Sequence, residues 1–519
     1  MTHSISRKIV RNTFFNTLGR VWTVLTSLIL TPYIISRLGV ERYGVLALLG
    51  GVTGYFGLFD FGISTSFVKY ISEFYARKQY GKINEVVNTG AAFYFVFGAA
   101  VFAAAFFFLD PVLSVLKIPQ GLYKETAFVF LAGVGIFSVS GALGSFASVP
   151  AGLQRMDIAN MIGVAVSVPN IAGTVFVLEK GYGLPGLMLN SLATALLSNA
   201  ANIAAAFRML PELEFNLFLS SRVLFKKLFS FGYKLQVSRF ANLVSFQTDK
   251  FLITGFLNIG LVAYYQLGSS IVSQARQIPL LLISALIPAV SELEAREDRQ
   301  ALIRMYLRGS KYLISLSTPL LLFVAFNASV IMFAWMGAGY ERAADVIRFL
   351  CLGYYMATVT GVASSIAAGV ARTDLDMKFG ILMAVLNLAL SVFLIIKFGF
   401  TGVLVGTSAA LILSSLYYVK LFHEYLGVPV KEFRRLFLKP AAVCAVPVLA
   451  TYALNRFLHS ASVGAGRPFA LFVAAFDGLL FFALYGVIIL KSGYFDEYDR
   501  KILGERIPFA RYVFECYAC

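Results

Sequence analysis

Five basic side chains and two carboxylates sit where their neighbours are apolar for many positions in either direction: Arg20, Lys234, Arg239, Lys250 and Arg276, with Asp60 and Asp249. A charge at the centre of a helix in hydrocarbon costs about 2.5–3.5 kcal/mol on insertion scales, so such groups persist by facing a polar interior, pairing, or reaching an interface. Guanidinium stays charged and forks onto carboxylate or phosphate oxygens. The pattern predicts a cationic cavity for an anionic ligand, formed by Arg20, Arg239 and Arg276, with Lys250 as a further member. Against it stands the plainer reading that near-terminal members, Lys234 above all, snorkel to an interface or pair structurally. Asp60 is the candidate site for a coupling proton or sodium ion, or a partner for Arg20. Asp249 and Lys250 are adjacent, point about 100° apart on a helix and need not pair.

The elements that hold these charges follow from composition. Of 519 residues, 59% are hydrophobic, 15% aromatic and 14% charged, with mean hydropathy +0.77. Soluble domains run near 45–50% apolar and about 25% charged. An ordinary cytosolic enzyme, a nucleic-acid-binding domain and a disordered chain are excluded, and four Cys exclude a disulfide scaffold. The chain is expected to be an all-α integral membrane protein. Roughly 20 apolar residues cross a bilayer as a helix. About fourteen stretches qualify: 13–36, 43–67, 86–109, 126–149, 158–178, 184–207, 228–257, 261–290, 312–335, 346–369, 379–397, 401–422, 440–458 and 468–490. No signal peptide is expected ahead of them.

The net charge of +17 lies in short clusters between these runs. With the amino terminus inside, cytoplasmic segments hold 29 Lys and Arg, the opposite side 10, and the spans the remaining 5 of 44. That is the positive-inside bias, and it places both termini in the cytoplasm. No connector is long enough for a separate domain. The amphipathic stretch 221–229 is expected to lie on the inner membrane surface.

The chain also repeats itself. Residues 150–163 (PAGLQRMDIANMIG) and 367–380 (AAGVARTDLDMKFG) share Ala-Gly, Arg-x-Asp and a following Gly at an offset of 217. Lys180 and Lys397 keep that offset, and 38–43 matches 259–264 at 221. Six helices per copy is even, so the copies are parallel repeats related by a pseudo-twofold axis along the membrane normal. The expected organisation is an N-terminal six-helix bundle at 1–215, a second at 216–430, and a helix pair with a cytoplasmic tail at 431–519. Two such halves enclose a cleft and rock, which is the architecture of a carrier. There is no Gly-x-x-x-x-Gly-Lys-(Ser/Thr) phosphate loop, so no nucleotide cofactor is expected. His3, His423 and His459 are scattered, and Cys516 and Cys519 read as two reduced thiols, so no metal is expected.

Several segments resemble bacterial polysaccharide flippases: LTPYIISRLGVERYG at 30–44, Asp60-Phe61-Gly62-Ile63, Asp249-Lys250-Phe251-Leu252-Ile253 with Val262-Ala263-Tyr264-Tyr265, and Pro288-Ala289-Val290-Ser291-Glu292-Leu293. The resemblance spans roughly the first 430 residues. It implies the multidrug/oligosaccharidyl-lipid/polysaccharide exporter superfamily, with two six-helix bundles facing a central cavity and no enzymatic activity. The polysaccharide (O-antigen type) branch moves undecaprenyl-pyrophosphate-linked oligosaccharide units from the cytoplasmic to the outer leaflet of the bacterial inner membrane. The implied partners are that lipid-linked glycan, the bilayer and other polysaccharide-assembly membrane proteins, not nucleic acid. A multidrug or organic-cation antiporter, a peptidoglycan-precursor flippase and a non-transporting scaffold for glycosyltransferases remain alternatives. The arginine positions come from intramembrane charge and are not transferred from the family.

Overall fold

Hydrocarbon offers a backbone amide no water, so a spanning segment must close its hydrogen bonds within a helix. The protein is described by a computed structural model at residues 2–57, 63–283 and 286–506, with side chains described there except at 2–14, 56, 64–65, 231–246, 287–289, 291, 295, 434, 456–465, 502–504 and 506. Among the described residues the regular structure is entirely helical. In order come α1 (Thr2–Leu38), α2 (Val40–Phe56), α3 (Ile63–Ala76), α4 (Tyr80–Phe107), α5 (Leu109–Val115), α6 (Gln120–Gly152), α7 (Met156–Glu179), α8 (Gly183–Met209) and α9 (Arg222–Phe256). Then follow α10 (Ile259–Leu280), α11 (Leu286–Ala295), α12 (Arg299–Phe326), α13 (Ala328–Met336), α14 (Glu341–Val359), α15 (Gly361–Gly369), α16 (Thr373–Leu426), α17 (Val430–Ala465), α18 (Arg467–Lys491) and α19 (Glu497–Arg506).

The protein is a multi-pass membrane protein: ten stretches of the described residues are each long and apolar enough to cross a bilayer. One of these, α16, holds the eleventh and twelfth expected crossings. Gly399, at φ 56° and ψ −132°, reverses the chain between them in a conformation that favours glycine. The expected continuous second, eighth, ninth and tenth crossings are each broken. The second stops at Phe56, after Gly50, Gly51 and Gly54 have thinned the helix, and restarts at Ile63. The eighth ends one residue after Pro279, tightens into a short turn at Leu281–Ile283 and resumes at Leu286. Proline removes an amide donor and crowds the preceding turn, which accounts for that stop. Residues 221–229 are not a separate surface element: Ser221 caps α9, accepting from the Leu224 amide, and the helix continues unbroken.

The chain divides into two compact units, Met1–Ala263 and Tyr264–Cys519. In the first, α6 packs on α4 and α8, α7 packs on α1 and α8, and α9 lies against α2, α3 and α4. Its interior is aliphatic and aromatic, with Ile63, Phe67, Ile71, Val86 and Phe146 buried in one cluster. Asn84, Asn88 and Thr89 of α4 bond the backbone of the connector before α9, at Glu212, Glu214, Asn216 and Ser221. In the second unit α14 packs on α12 and α16, α11 on α15, and α18 on α13 and α17. Its core holds Tyr306, Ile366, Tyr418 and Phe422.

Each unit repeats the other's local devices at matching positions. Gln154 and Ala371, 217 apart, both take a left-handed φ, of 57° and 58°. Arg155 forks onto Asp157, and Arg372 onto Asp374. The Asn190 amide donates to Asn170 and Thr174, while Asn387 donates to Thr407, again at the offset of 217. The second crossing is broken in both copies. These pairings extend the sequence repeat into side-chain geometry.

Candidate functional site

The seventh crossing, α9, carries the densest group of intramembrane polar residues, and Gly51 of α2 lets it approach. A Cβ on Gly51 would stand 3.5 Å from Gln247 Oε1 and Phe251 Cε2, and 3.7 Å from Lys250 Cδ. Through that gap the Lys250 ammonium reaches inward and donates to the Ala47 carbonyl at 3.4 Å. Lys250 is 6% exposed and Asp249 is fully buried. One turn on, Thr254 Oγ1 donates to the Lys250 carbonyl at 2.7 Å. Tyr55 and Thr248 share a hydrogen bond of 2.8 Å across the same contact. Beside them opens a cavity of about 910 Å³, almost wholly apolar, walled by Tyr55, Phe97, Phe108, Val112, Phe130 and Phe251. The first unit therefore holds a buried cation beside a hydrocarbon-lined space.

The other expected site residues have different settings. Arg20 lies on an exposed stretch of α1, with Leu18, Val21 and Leu25 exposed around it. The opposite side of this helix meets α7, where Trp22 Nε1 donates to Ser167 Oγ at 2.6 Å. Arg276, on α10 in the second unit, is half-buried with its guanidinium 5.7 Å from the centre of the Tyr354 ring, a cation–π distance. Arg239 and Lys234 fall on α9, but their side chains lie outside the described residues, and Asp60 lies outside them altogether.

One intramembrane charge escaped the sequence reading. Asp477, ten residues after Arg467 in the last crossing, is fully buried. It was visible as an acid in a run of Leu, Phe and Ala; its lack of a basic partner among the described residues was not. At the helix ends, by contrast, charges are paired. Arg42 forks onto Glu125 at 2.7 and 2.9 Å, and this hydrogen-bonded guanidinium holds the Glu125 carboxyl below its ordinary range. Arg372 does the same for Asp374. Among the described residues no three His, Cys, Asp or Glu side chains gather as a metal site.

Residues 9–294 match the family described as polysaccharide biosynthesis protein. A Shigella flexneri protein described as an O-antigen transporter is 22% identical over 421 residues, covering 79% of this chain and 96% of the relative. Among solved structures, the lipid II flippase MurJ in an inward closed conformation is similar at a TM-score of 0.66 and 13% identity, over 92% of this chain and 99% of that one. A multidrug resistance MATE family transporter of the MOP superfamily, inward-facing, is similar at 0.63 and 14% identity, over 78% and 94%. At these identities the solved structures establish the fold. Every one of these relatives is described as a transporter, a flippase or a polysaccharide biosynthesis protein, and none as an enzyme.

Proposed function

Because this chain belongs to the polysaccharide biosynthesis protein family, we propose that it is a flippase, moving undecaprenyl-pyrophosphate-linked oligosaccharide units from the cytoplasmic to the outer leaflet for surface polysaccharide assembly. The likeness to an O-antigen transporter over nearly that relative's whole length carries the reading. The buried Lys250 ammonium supports its chemistry. A pyrophosphate headgroup cannot cross hydrocarbon unneutralised, and a fixed cation in a low-dielectric interior attracts it far more strongly than one in water. Arg20, Arg239 and Arg276 are the further cationic contacts of this reading, used in alternation as the transporter opens to each side. The apolar cavity beside Lys250 suits a polyprenyl chain, which brings its own hydrocarbon. A membrane potential negative inside assists an outgoing anion by about 2.3 kcal/mol per charge per 100 mV. The reading places the protein in the bacterial inner membrane with both termini cytoplasmic, working beside other polysaccharide-assembly proteins. Asp60 is one candidate coupling site for a proton or sodium ion in this reading.

The test replaces Arg20, Arg239, Lys250 and Arg276 singly by Gln and measures delivery of the lipid-linked sugar to the outer leaflet. Loss of at least tenfold in one or more variants at normal protein level is expected. Full delivery in all four would overturn the cationic pathway, and resistance to cationic dyes as the sole phenotype of the native protein would overturn the flippase reading.

A further inference from the structure

Asp477 lies midway along α18, and among the described residues neither carboxyl oxygen has a hydrogen-bond partner within 3.5 Å. Three helices pack against α18, namely α12, α13 and α17. From α12 it meets aromatic surface: Phe323 stands 3.5 Å from where a Cβ on Gly478 would be, and its ring lies 5.4 Å from that of Phe481. The α13 sequence, ASVIMFAWM, contains no titratable group. From α17, Asn455 is set beside the carboxyl as its polar neighbour. On the same helix Tyr452 is exposed, while Arg456 and, one turn after Asn455, His459 have side chains outside the described residues. On α18 itself the nearest charge is Arg467, which donates to the Trp335 carbonyl at 2.5 Å. A charged carboxylate so placed has lost its water and gained, among the described residues, only the Asn455 amide beside it, a penalty of several kcal/mol that a single proton removes.

A source for that proton lies on the far side of Asn455. Asn455 Nδ2 donates to Asn327 Oδ1 at 2.7 Å, and Asn327 Nδ2 donates in turn to the Phe323 carbonyl at 3.0 Å. Asn327, Ser329, Thr451 and Asn455 line a cavity of about 320 Å³. A water molecule occupies about 30 Å³ and needs two to four polar partners, so this space accepts several. The amide pair thus stands between a buried acid and a wettable chamber.

We propose that Asp477 is a proton-binding site of this transporter, loaded from water in the Asn327–Asn455 chamber and unloaded once per cycle, so that inward proton movement drives cargo outward. The step forms one O–H bond on a carboxylate oxygen and breaks one in a hydronium ion or buffer acid; unloading reverses it, and no electrons are transferred. The coupling rests on the flippase reading above, whereas proton binding does not.

Two measurements on the full-length protein in lipid vesicles separate these parts. Infrared difference spectra between alkaline and acidic buffer should show a protonated-carboxyl band that disappears in Asp477→Asn, is shifted in Asp477→Glu, and is indifferent to sodium at constant pH. With a synthetic polyprenyl-pyrophosphate-linked sugar as probe, one unit of inward pH gradient should shift the native outer-to-inner ratio by up to tenfold, since one coupled proton transmits at most that factor. Asp477→Asn should still equilibrate the probe yet ignore the gradient. An unchanged band in Asp477→Asn, a band displaced by sodium, or a native ratio that ignores the gradient would each overturn the proposal. A native protein that moves no probe at all would instead sink the flippase reading, leaving the infrared arm to judge Asp477.

Discussion

Replacing Asp499 by Asn should release the last helix from the transport unit. Asp499 of α19 is fully buried and accepts hydrogen bonds from Lys311 and Tyr312 of α12. Its Oδ2 also accepts from the Asp496 amide at 3.2 Å, while the Asp499 amide donates back to Asp496 Oδ1 at 2.9 Å. Lys311 is only 12% exposed, and its other carboxylate neighbour, Asp496, is 3.7 Å away and 55% exposed. Asn preserves the shape and removes the charge, leaving a buried ammonium opposite a neutral amide. Breaking one side of a buried pair costs about 3–5 kcal/mol, of which an exposed carboxylate such as Asp496 returns about 0–1. About 3 kcal/mol remains, a factor of about 10² at 1.4 kcal/mol per tenfold. Hydrogen exchange at residues 495–506 should accelerate by that factor while the membrane helices keep their protection. Lys311→Met combined with Asp499→Asn should recover all but about tenfold, since a buried pair replaced on both sides is nearly neutral. Exchange within twofold of native in the single variant, or no recovery in the double, would refute the assignment. The pH dependence has a definite sign. Burial pushes the Asp499 carboxyl up, but the Lys311 and Tyr312 hydrogen bonds outweigh it and hold it below its ordinary value. A carboxylate depressed in the folded state contributes fully above its unfolded value, about 3.9, and loses that contribution as pH falls through the lower folded value. The clamp should therefore hold at neutral pH and open only in stronger acid.

The repeated Arg-x-Asp clamps should differ in strength. Arg155→Met should cost about 1–3 kcal/mol because Asp157 is 11% exposed, whereas Arg372→Met should cost less than about 1 because Asp374 is 39% exposed; thermal unfolding of the two variants checks the order, and equal losses would contradict it. Gly406→Ala should lower thermal stability by about 1–3 kcal/mol, because the new Cβ would stand 2.8 Å from both the Cα and the backbone N of Ser391, atoms that cannot swing aside. An unchanged melting temperature would show that this helix contact is looser than its geometry.

The apolar runs were legible because a hydrocarbon environment imposes length and composition on any segment that crosses it. The duplication was equally legible, since Arg155-x-Asp157 and Arg372-x-Asp374 stand 217 residues apart. What those motifs do was not: both are forks that close over a left-handed residue, Gln154 or Ala371. Nor were the breaks in the second and eighth crossings, where hydropathy runs on through backbone that glycine or proline has interrupted. Hydropathy also grouped Lys250 with Arg20, although one is buried against a carbonyl and the other exposed.

By itself the sequence determined membrane residence, the all-helical class, the duplication and the family, because each is written in residue type and order along one dimension. Only the tertiary structure decided which charges have partners. Asp499 and Asp477 are both acids beyond Leu458, yet one lies in a clamp and the other has no ion-pair or hydrogen-bond partner within 3.5 Å among the described residues. The free energy of a buried charge depends on what stands within a few ångströms of it, and the partners of Asp499 come from a helix more than a hundred residues away in the chain.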